Sequence, residues 1–125
     1  MKFPKKNNDW LKRRNMSVFM TPRDTDVNTM DVERLAKDLH DMHVTMLSFL
    51  CGGYLTNYPT ELPMQRKITG LNRDFPQELI TALHKYGIKA FLAIDLGALP
   101  AHAAKEHPDW CATDIEGNPY VIVPG

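Results

Sequence analysis

Several polar residues lie where predicted strands end, which is where parallel sheets carry their binding sites. Asp95 ends the apolar run 88–95, and Arg23 and Asp24 directly follow the first apolar run of the chain. Because the carboxyl ends of parallel strands meet at one edge of a sheet, these side chains are expected on a common face, where they could bind a ligand. Two local roles are the alternatives. Asp95 can cap a turn before Gly97, and Arg23 can pair with Asp24.

The loop after the second apolar run combines aromatic, amide and hydroxyl groups. Tyr54, Asn57 and Tyr58 lie close together in it. Such a set suits a sugar, which presents apolar ring faces edged by hydroxyl groups. The same residue types also occur in any ordered loop, so carbohydrate binding and a purely structural role both stay open. Glu61 adds a carboxylate on the same side, but nothing in the sequence pairs it with another carboxylate as acid and nucleophile.

A turn-rich segment follows the third apolar run. A short helix over 99–106 is stopped by His107 and Pro108, and two extended arms surround a hairpin-type turn at 116–118. His107 and Trp110 are candidates for ligand contact at the rim of the sheet. Alternatively, Trp110 is a hydrophobic plug that holds this segment against the rim.

The pair His40 and His43 has a spacing that can bind a metal ion near the end of a predicted helix. No third ligand is apparent nearby, so solvent-facing histidines are the expectation, and neither a metal nor another cofactor is predicted. Metal-dependent hydrolysis on a barrel would also call for a His-x-His motif at the end of the first strand. The sequence there is FMTPRD, which has none.

Apolar runs and amphipathic segments alternate along the chain. The runs 16–21, 45–50 and 88–95 read as strands, and 28–44 and 73–87 have helical spacing. The order β-α-β-α-β predicts a parallel sheet with right-handed crossovers.

Capping residues indicate where the two helices begin and end. Asn28 is predicted to cap the first helix, and Asp74 the second. Pro76 fits the first turn of the second helix, where its missing N–H does no harm, and Gln77 completes a capping-box pattern. Gly87 is predicted to follow the end of that helix.

The connections between the elements are unequal. Helices join the following strands almost directly, whereas strands lead into long loops, above all residues 51–73. Long loops on one face of a parallel sheet usually carry function. A doubly wound nucleotide-binding fold would place a glycine-rich turn after the first strand, but Thr21 to Asp24 contain no glycine. The sequence therefore favours a (β/α)₈ TIM barrel, or part of one.

Composition narrows the classes of partner. The chain has 125 residues and a formal net charge of zero, which favours one domain and gives no support for a nucleic-acid partner. It shows neither a signal-peptide core nor an apolar run long enough to span a membrane, so no membrane partner is expected. Cys51 and Cys111 lack metal-ligand spacing, which predicts a reduced, cytoplasmic protein. Residues 1–15 form a basic N-terminal extension that is predicted to be solvated.

The motifs in the second half of the chain occur together in a known family. The run LNRDFPQELITALHKYGIKAFLAIDLG, then HPDW, then DIEGNP resembles the first part of a group of glycoside hydrolases. These are (β/α)₈-barrel enzymes related to α-L-fucosidases and to the β-galactosidase barrels. The group has a Tyr-Pro loop after its second strand, matched by Tyr58 and Pro59, and a Gly-Ile pair entering its third, matched by Gly87 and Ile88. The similarity runs from about Trp10 to the end of the chain.

The resemblance implies hydrolysis or recognition of a glycosidic bond, with a pair of carboxylates acting across an oxocarbenium-like transition state. The group is similar to other barrel glycosidases in placing these carboxylates on the fourth strand and later, so the catalytic residues are expected beyond Gly125. Residues 16–125 would then be the N-terminal portion of a TIM-barrel catalytic domain of about 250 residues. They would comprise its first three β/α units (β-α-β-α-β) and a loop-rich C-terminal excursion. The contacts to a carbohydrate substrate that this portion would supply are Tyr54, Asn57, Tyr58, Asp95, His107 and Trp110.

Such a portion is expected to be inactive alone and to self-associate. Its outer strands would lack their barrel neighbours, and the apolar interior face would be exposed. The alternative, from a different functional class, is a complete small α/β module that binds a partner through its open sheet edge. A finished domain would end on a helix over the last strand rather than on YVIVPG.

Overall fold

The fold is α/β and is built on a parallel sheet; the computed structural model describes residues 9–53, 55–63, 65–95 and 101–118. In chain order the elements are a 3₁₀ turn (Asp9–Lys12), β1 (Ser17–Met20), α1 (Asp24–Val27), α2 (Val32–Asp41), β2 (Met46–Gly52), β3 (Leu55–Thr56), β4 (Arg66–Lys67), α3 (Phe75–Lys85), β5 (Lys89–Ile94), α4 (Ala101–Glu106) and a second 3₁₀ turn (Pro108–Trp110). Strands β1, β2 and β5 form a parallel sheet in that order, and β3 pairs with β4 in a separate parallel ribbon. The predicted α/β fold with parallel strands is confirmed.

The central strand β2 separates a covered face of the sheet from an open one. Leu47, Phe49 and Cys51 alternate along β2 and are buried in the layer that also contains α2 and α3. Phe49 meets Phe75 of α3 edge to face, with ring centroids 6.3 Å apart. Leu79 is fully buried in the same cluster. Hydrophobic burial on this one face holds the described part of the fold together.

Helix α3 begins and ends at the residues predicted from the sequence. The Asp74 carboxylate accepts a hydrogen bond from the Gln77 backbone N–H at 3.1 Å, and Pro76 lies in the first turn. Gly87 follows the helix with φ of 70°, a left-handed conformation that favours glycine. The Gln77 side chain donates to Thr81 Oγ1, 3.3 Å away within the helix.

The predicted cap of the preceding helix was wrong. Asp31, not Asn28, caps α2, since its carboxylate accepts from the Arg34 backbone N–H at 3.0 Å. Asn28 instead ends α1 and holds two loops together. Its Nδ2 donates to the Gly70 carbonyl oxygen at 2.9 Å, and its Oδ1 accepts from the Asn72 N–H at 3.3 Å. Because these bonds occupy both ends of the Asn28 amide, its side chain does not cap α2. The Asp31 carboxylate takes that role.

The open face of the sheet is apolar. Phe19 of β1, Ser48 of β2 and Phe91 of β5 are in register and therefore project from the same side. Phe19 is 63% exposed and Phe91 is 41% exposed. The prediction that this face of the sheet is exposed and apolar is confirmed for the described residues.

Part of the predicted basic extension packs on the sheet instead of being loosely solvated. Trp10, in the first 3₁₀ turn, lies against Phe91 with ring centroids 6.1 Å apart. Asn15 fastens this turn, because its Nδ2 donates to the carbonyl oxygens of Trp10 and Arg13, each at 3.0 Å. Thr45 Oγ1, which precedes β2, donates in turn to Asn15 Oδ1 at 3.2 Å. Arg13 is exposed, so this segment packs on the sheet through Trp10 and not through that basic residue.

Candidate functional site

A pocket of about 290 Å³ lies at the carboxyl ends of the sheet strands. Asp24, which begins α1 after β1, and Asp95, which follows β5, both line it. Asn57 lines it from the loop after β2, and Leu55 and Ile68 are among its apolar lining residues. The structure therefore brings Asp24, Asn57 and Asp95 together at the edge where sequence reasoning expected a site.

A close backbone approach sets the position of Asp95. Its N–H donates to the Gly52 carbonyl oxygen at 3.0 Å, which extends the β2–β5 pairing past the end of β5. Gly53 has φ of 135°, and a Cβ added there would lie 2.4 Å from the Asp95 carbonyl oxygen. Only glycine has both the conformation and the space for this contact. Gly52 itself lines the pocket, and Gly53 permits the close approach of the two strand ends beside it.

Asn57 is a buried polar residue, 5% exposed. Its Nδ2 donates to the Leu50 carbonyl oxygen at 3.1 Å, and its backbone N–H donates to the Cys51 carbonyl oxygen at 3.4 Å. Its Oδ1 is buried and has no hydrogen-bond partner among the described residues. A buried acceptor without a donor costs about 1–3 kcal/mol. Asn57 therefore lines the pocket, while its unsatisfied acceptor is itself shielded from solvent.

The other residues of the loop after β2 have different positions. The Tyr58 hydroxyl donates to Gln65 Oε1 at 3.3 Å, and its ring lines a separate groove of about 260 Å³ with Ile80 and Leu92. Tyr54 lies outside the described residues. Glu61 is exposed and is not among the residues that line the pocket. The predicted aromatic and amide cluster is therefore divided, with Asn57 alone shown in the pocket.

His107 and Trp110 form a stacked aromatic pair outside this pocket. Their ring centroids are 3.9 Å apart and the planes differ by 9°. The His107 backbone N–H donates to the Ala103 carbonyl oxygen at 2.7 Å, just after the end of α4. The Trp110 backbone N–H donates to the His107 carbonyl oxygen at 3.1 Å. Trp110 is 56% exposed, so the alternative of a buried hydrophobic plug was wrong. One face of the indole is covered by the imidazole, and because Trp110 is still largely exposed it offers an aromatic platform at the surface.

The turn after this pair is built around Asp114. Its Oδ1 accepts from the backbone N–H groups of Glu116 at 2.9 Å and Asn118 at 2.8 Å. The bonds to Asn118 and to the turn backbone lower the pKa of the Asp114 carboxyl. Gly117 has φ of 86°, which suits a glycine. The predicted turn at 116–118 is confirmed, while the arm that follows it lies outside the described residues.

The structure shows what surrounds the two histidines and the two cysteines. His40 and His43 are exposed, as expected, and His40 packs against Tyr86 with ring centroids 5.1 Å apart. Within the described ranges no group of three or more His, Cys, Asp or Glu side chains is placed to hold a metal ion. Burial raises the pKa of the Cys51 thiol, which donates to the Ala93 carbonyl oxygen at 3.4 Å. Cys51 and Cys111 are both free.

The described helices are also too short or too polar to cross a membrane.

The parallel sheet with helices on one face defines the class of protein, an α/β protein with a pocket at the carboxyl ends of its strands. Within that class the chain belongs to the family described as hypothetical glycosyl hydrolase 6, whose model matches residues 31–124. No curated protein matches it.

Among solved structures, the chain is similar to α-L-fucosidase isoenzyme 2 from Paenibacillus thiaminolyticus, with a TM-score of 0.69 and 18% sequence identity. The match covers 90% of this chain and 18% of that chain. At this identity the likeness shows the fold, and the chain spans less than a fifth of the fucosidase that it matches. The resemblance to glycoside hydrolases seen in the sequence is confirmed at the level of the family.

Proposed function

We propose that this chain is the N-terminal part of a (β/α)₈-barrel glycoside hydrolase and that it contributes substrate-binding loops rather than the catalytic carboxylates. The observation that carries the proposal is the strand-end pocket, in which Asp24, Asn57 and Asp95 converge in a chain of a glycosyl hydrolase family. In barrel enzymes the loops at this end of the strands bind the substrate. Loops after three of the strands are present here.

The two faces of the sheet support a barrel as the parent fold. In a (β/α)₈ barrel, helices cover the outside and apolar side chains from the strands fill the interior. Here α2 and α3 lie on one face, and Phe19 and Phe91 occupy the other, where a barrel interior would be. The outer strands β1 and β5 are the positions at which the remaining strands would join.

The acidic residues of the pocket suit substrate contact better than acid catalysis. A general acid in a glycosidase is usually a carboxyl held in apolar surroundings, which keep it protonated near neutral pH. Asp24 and Asp95 are both exposed at the pocket edge. As carboxylates they accept hydrogen bonds from sugar hydroxyl groups. The acid and the nucleophile are then supplied by strands that follow this chain.

The experiment for the whole proposal is to extend the reading frame past the codon for Gly125 and to assay both products. The extended protein is expected to cleave at least one member of a panel of aryl glycosides, and residues 1–125 alone are expected to cleave none. Carboxylates at the ends of the fourth and later strands then become the targets for substitution. A stop codon directly after Gly125 would overturn the proposal and favour the binding module.

The exposed platform of Trp110 predicts a second substrate contact. Trp110→Ala is expected to weaken binding of a sugar about twofold to twelvefold, because aromatic contacts of this kind contribute roughly 0.5–1.5 kcal/mol. The thermal unfolding midpoint is expected to stay unchanged, since the side chain is 56% exposed. Saturation-transfer NMR with glucose measures the binding. Ile115→Ala is the matched control, because Ile115 is fully exposed in the same segment; equal losses in both variants would contradict a platform at Trp110.

The open sheet face predicts self-association of the isolated chain. Phe19→Ser is expected to shift the chain from oligomer towards monomer in analytical ultracentrifugation, because it removes a large apolar group from that face. Leu62→Ser is the control, since Leu62 is about as exposed as Phe19, at 61% against 63%, but lies in a loop. A monomeric parent chain at all concentrations would contradict the prediction.

A further inference from the structure

The segment that leads into β1 packs on the open face of the sheet. We propose that residues 9–15, here called the N-terminal strap, limit self-association because they compete with a second copy of the chain for this face. The inference does not depend on the proposed function, since it concerns the sheet face rather than the strand-end pocket. It gives a role to the part of the basic extension that packs on the sheet.

The strap runs from one outer strand of the sheet to the other. It leads into β1, which begins at Ser17, yet its Trp10 ring contacts Phe91 of β5 with ring centroids 6.1 Å apart. β1 and β5 flank β2, so the strap passes the start of the central strand, a distance of about 10 Å at the usual strand spacing. Phe91 is in register with Ser48 and Phe19 on the open side, and the strap therefore lies on that side.

A small group of hydrogen bonds holds the strap in place at the start of β2. The Asn15 amide nitrogen donates to the Trp10 and Arg13 carbonyl oxygens, each at 3.0 Å. The Thr45 hydroxyl accepts from the Met16 backbone N–H at 3.0 Å and lies 3.2 Å from Asn15 Oδ1, to which it donates. Thr45 directly precedes β2, so its hydroxyl joins the strap to the sheet through the Asn15 side chain. Loss of that hydroxyl is expected to loosen the strap while Trp10 stays in the chain.

The strap covers only one side of an apolar face. Phe91, next to Trp10, is 41% exposed, whereas Phe19 on the far strand is 63% exposed. Lys89, at the start of β5, is the one charged residue of β1, β2 and β5. An apolar face with its charge at one end fits another apolar sheet face better than a charged partner. A second copy of the chain offers such a face, and in a two-fold pair both copies bury the same residues.

The test releases the strap in two ways and measures association by sedimentation velocity over a series of protein concentrations. Trp10→Ala removes the contact to Phe91, and Thr45→Val removes the hydroxyl that holds the strap. Each variant is expected to associate about twofold to twelvefold more tightly for each strap that a second copy no longer has to displace. Trp110→Phe leaves Trp10 as the one tryptophan of the chain. In that background Thr45→Val is expected to shift the fluorescence emission to longer wavelength, as the Trp10 ring moves into water.

Thr81→Val is the matched control, because the exposed Thr81 hydroxyl donates only within α3, to the Gln77 carbonyl oxygen at 2.8 Å. It is expected to leave both association and fluorescence unchanged. Adding Phe19→Ser to Thr45→Val is expected to cancel the gain, since both changes act on the same face. If Trp10→Ala weakens association, the strap belongs to the contact between copies and the proposal is overturned. It is equally overturned if Thr45→Val shifts the fluorescence without strengthening association, or if every variant stays monomeric at all concentrations.

Discussion

Gly53→Ala is expected to destabilise the protein by about 3 kcal/mol or more, whereas Gly52→Ala is expected to change its stability by no more than about 1 kcal/mol. At Gly53 a methyl group would lie 2.4 Å from the Asp95 carbonyl oxygen, in a backbone with φ of 135°. Both the collision and the conformation oppose the substitution. At Gly52 the nearest atom to an added Cβ is a Tyr58 ring carbon 3.7 Å away, an ordinary contact.

Urea unfolding followed by circular dichroism measures the difference between the two variants. The adjacent glycines have nearly the same position in the sequence, so general effects of Gly→Ala on the unfolded chain are matched. Sugar binding is expected to fall in the Gly53 variant under conditions where it stays folded, because the end of β2 must move away from Asp95. Equal stability of both variants would show that the close approach at Gly53 does not constrain the pocket.

Phe49→Ala is expected to cost about 3–5 kcal/mol, the range for truncating a fully buried aromatic residue. Phe49 has no exposed surface and contacts Phe75 across the layer between sheet and helices. The cavity left by its ring would lie in the centre of the core cluster. Since an average domain is stable by only about 5–15 kcal/mol, this loss is a large share of the total, and the variant is expected to unfold at a much lower urea concentration than the parent.

The matched control is Phe19→Ala, one strand away. Phe19 is 63% exposed, so its removal leaves no cavity and is expected to change the free energy of unfolding by less than about 1 kcal/mol. Chemical denaturation at low protein concentration separates this effect from self-association. A similar loss at Phe19 and Phe49 would mean that the open face of the sheet is packed as tightly as the helix face.

Local signals in the sequence were sufficient to predict helix α3. Asp74, Pro76 and Gly87 each act within a few residues of their own position, so their roles can be read without knowledge of the fold. The same holds for the parallel order of the strands, because alternation of strands and helices restricts the topology. The place of the pocket follows from this order, because the carboxyl ends of parallel strands meet at one edge, and Asp95 lines the pocket there.

Contacts between residues that are far apart in the sequence could not be predicted from such local signals. Asn28 and Asp31 are both good helix caps, and the choice between them depends on Gly70 and Asn72, more than 40 positions away. The ribbon of β3 and β4 consists of two-residue strands, which have no periodicity to detect. Trp10 gave no indication that its partner would be Phe91. In each case the deciding contact is tertiary.

The two hydrogen bonds that the Asn28 side chain makes, to Gly70 and to Asn72, have a consequence for the rim of the pocket. They join the segment after β1, which contains Asp24, to the loop after β2, which contains Ile68. Exposed loops usually open independently and at little cost in free energy. Because the Asn28 amide bonds to both segments, the two must open together. The rim therefore has less conformational entropy to lose when a ligand binds. A ligand that docks there has less disorder to remove, and more of its contact energy is available as affinity.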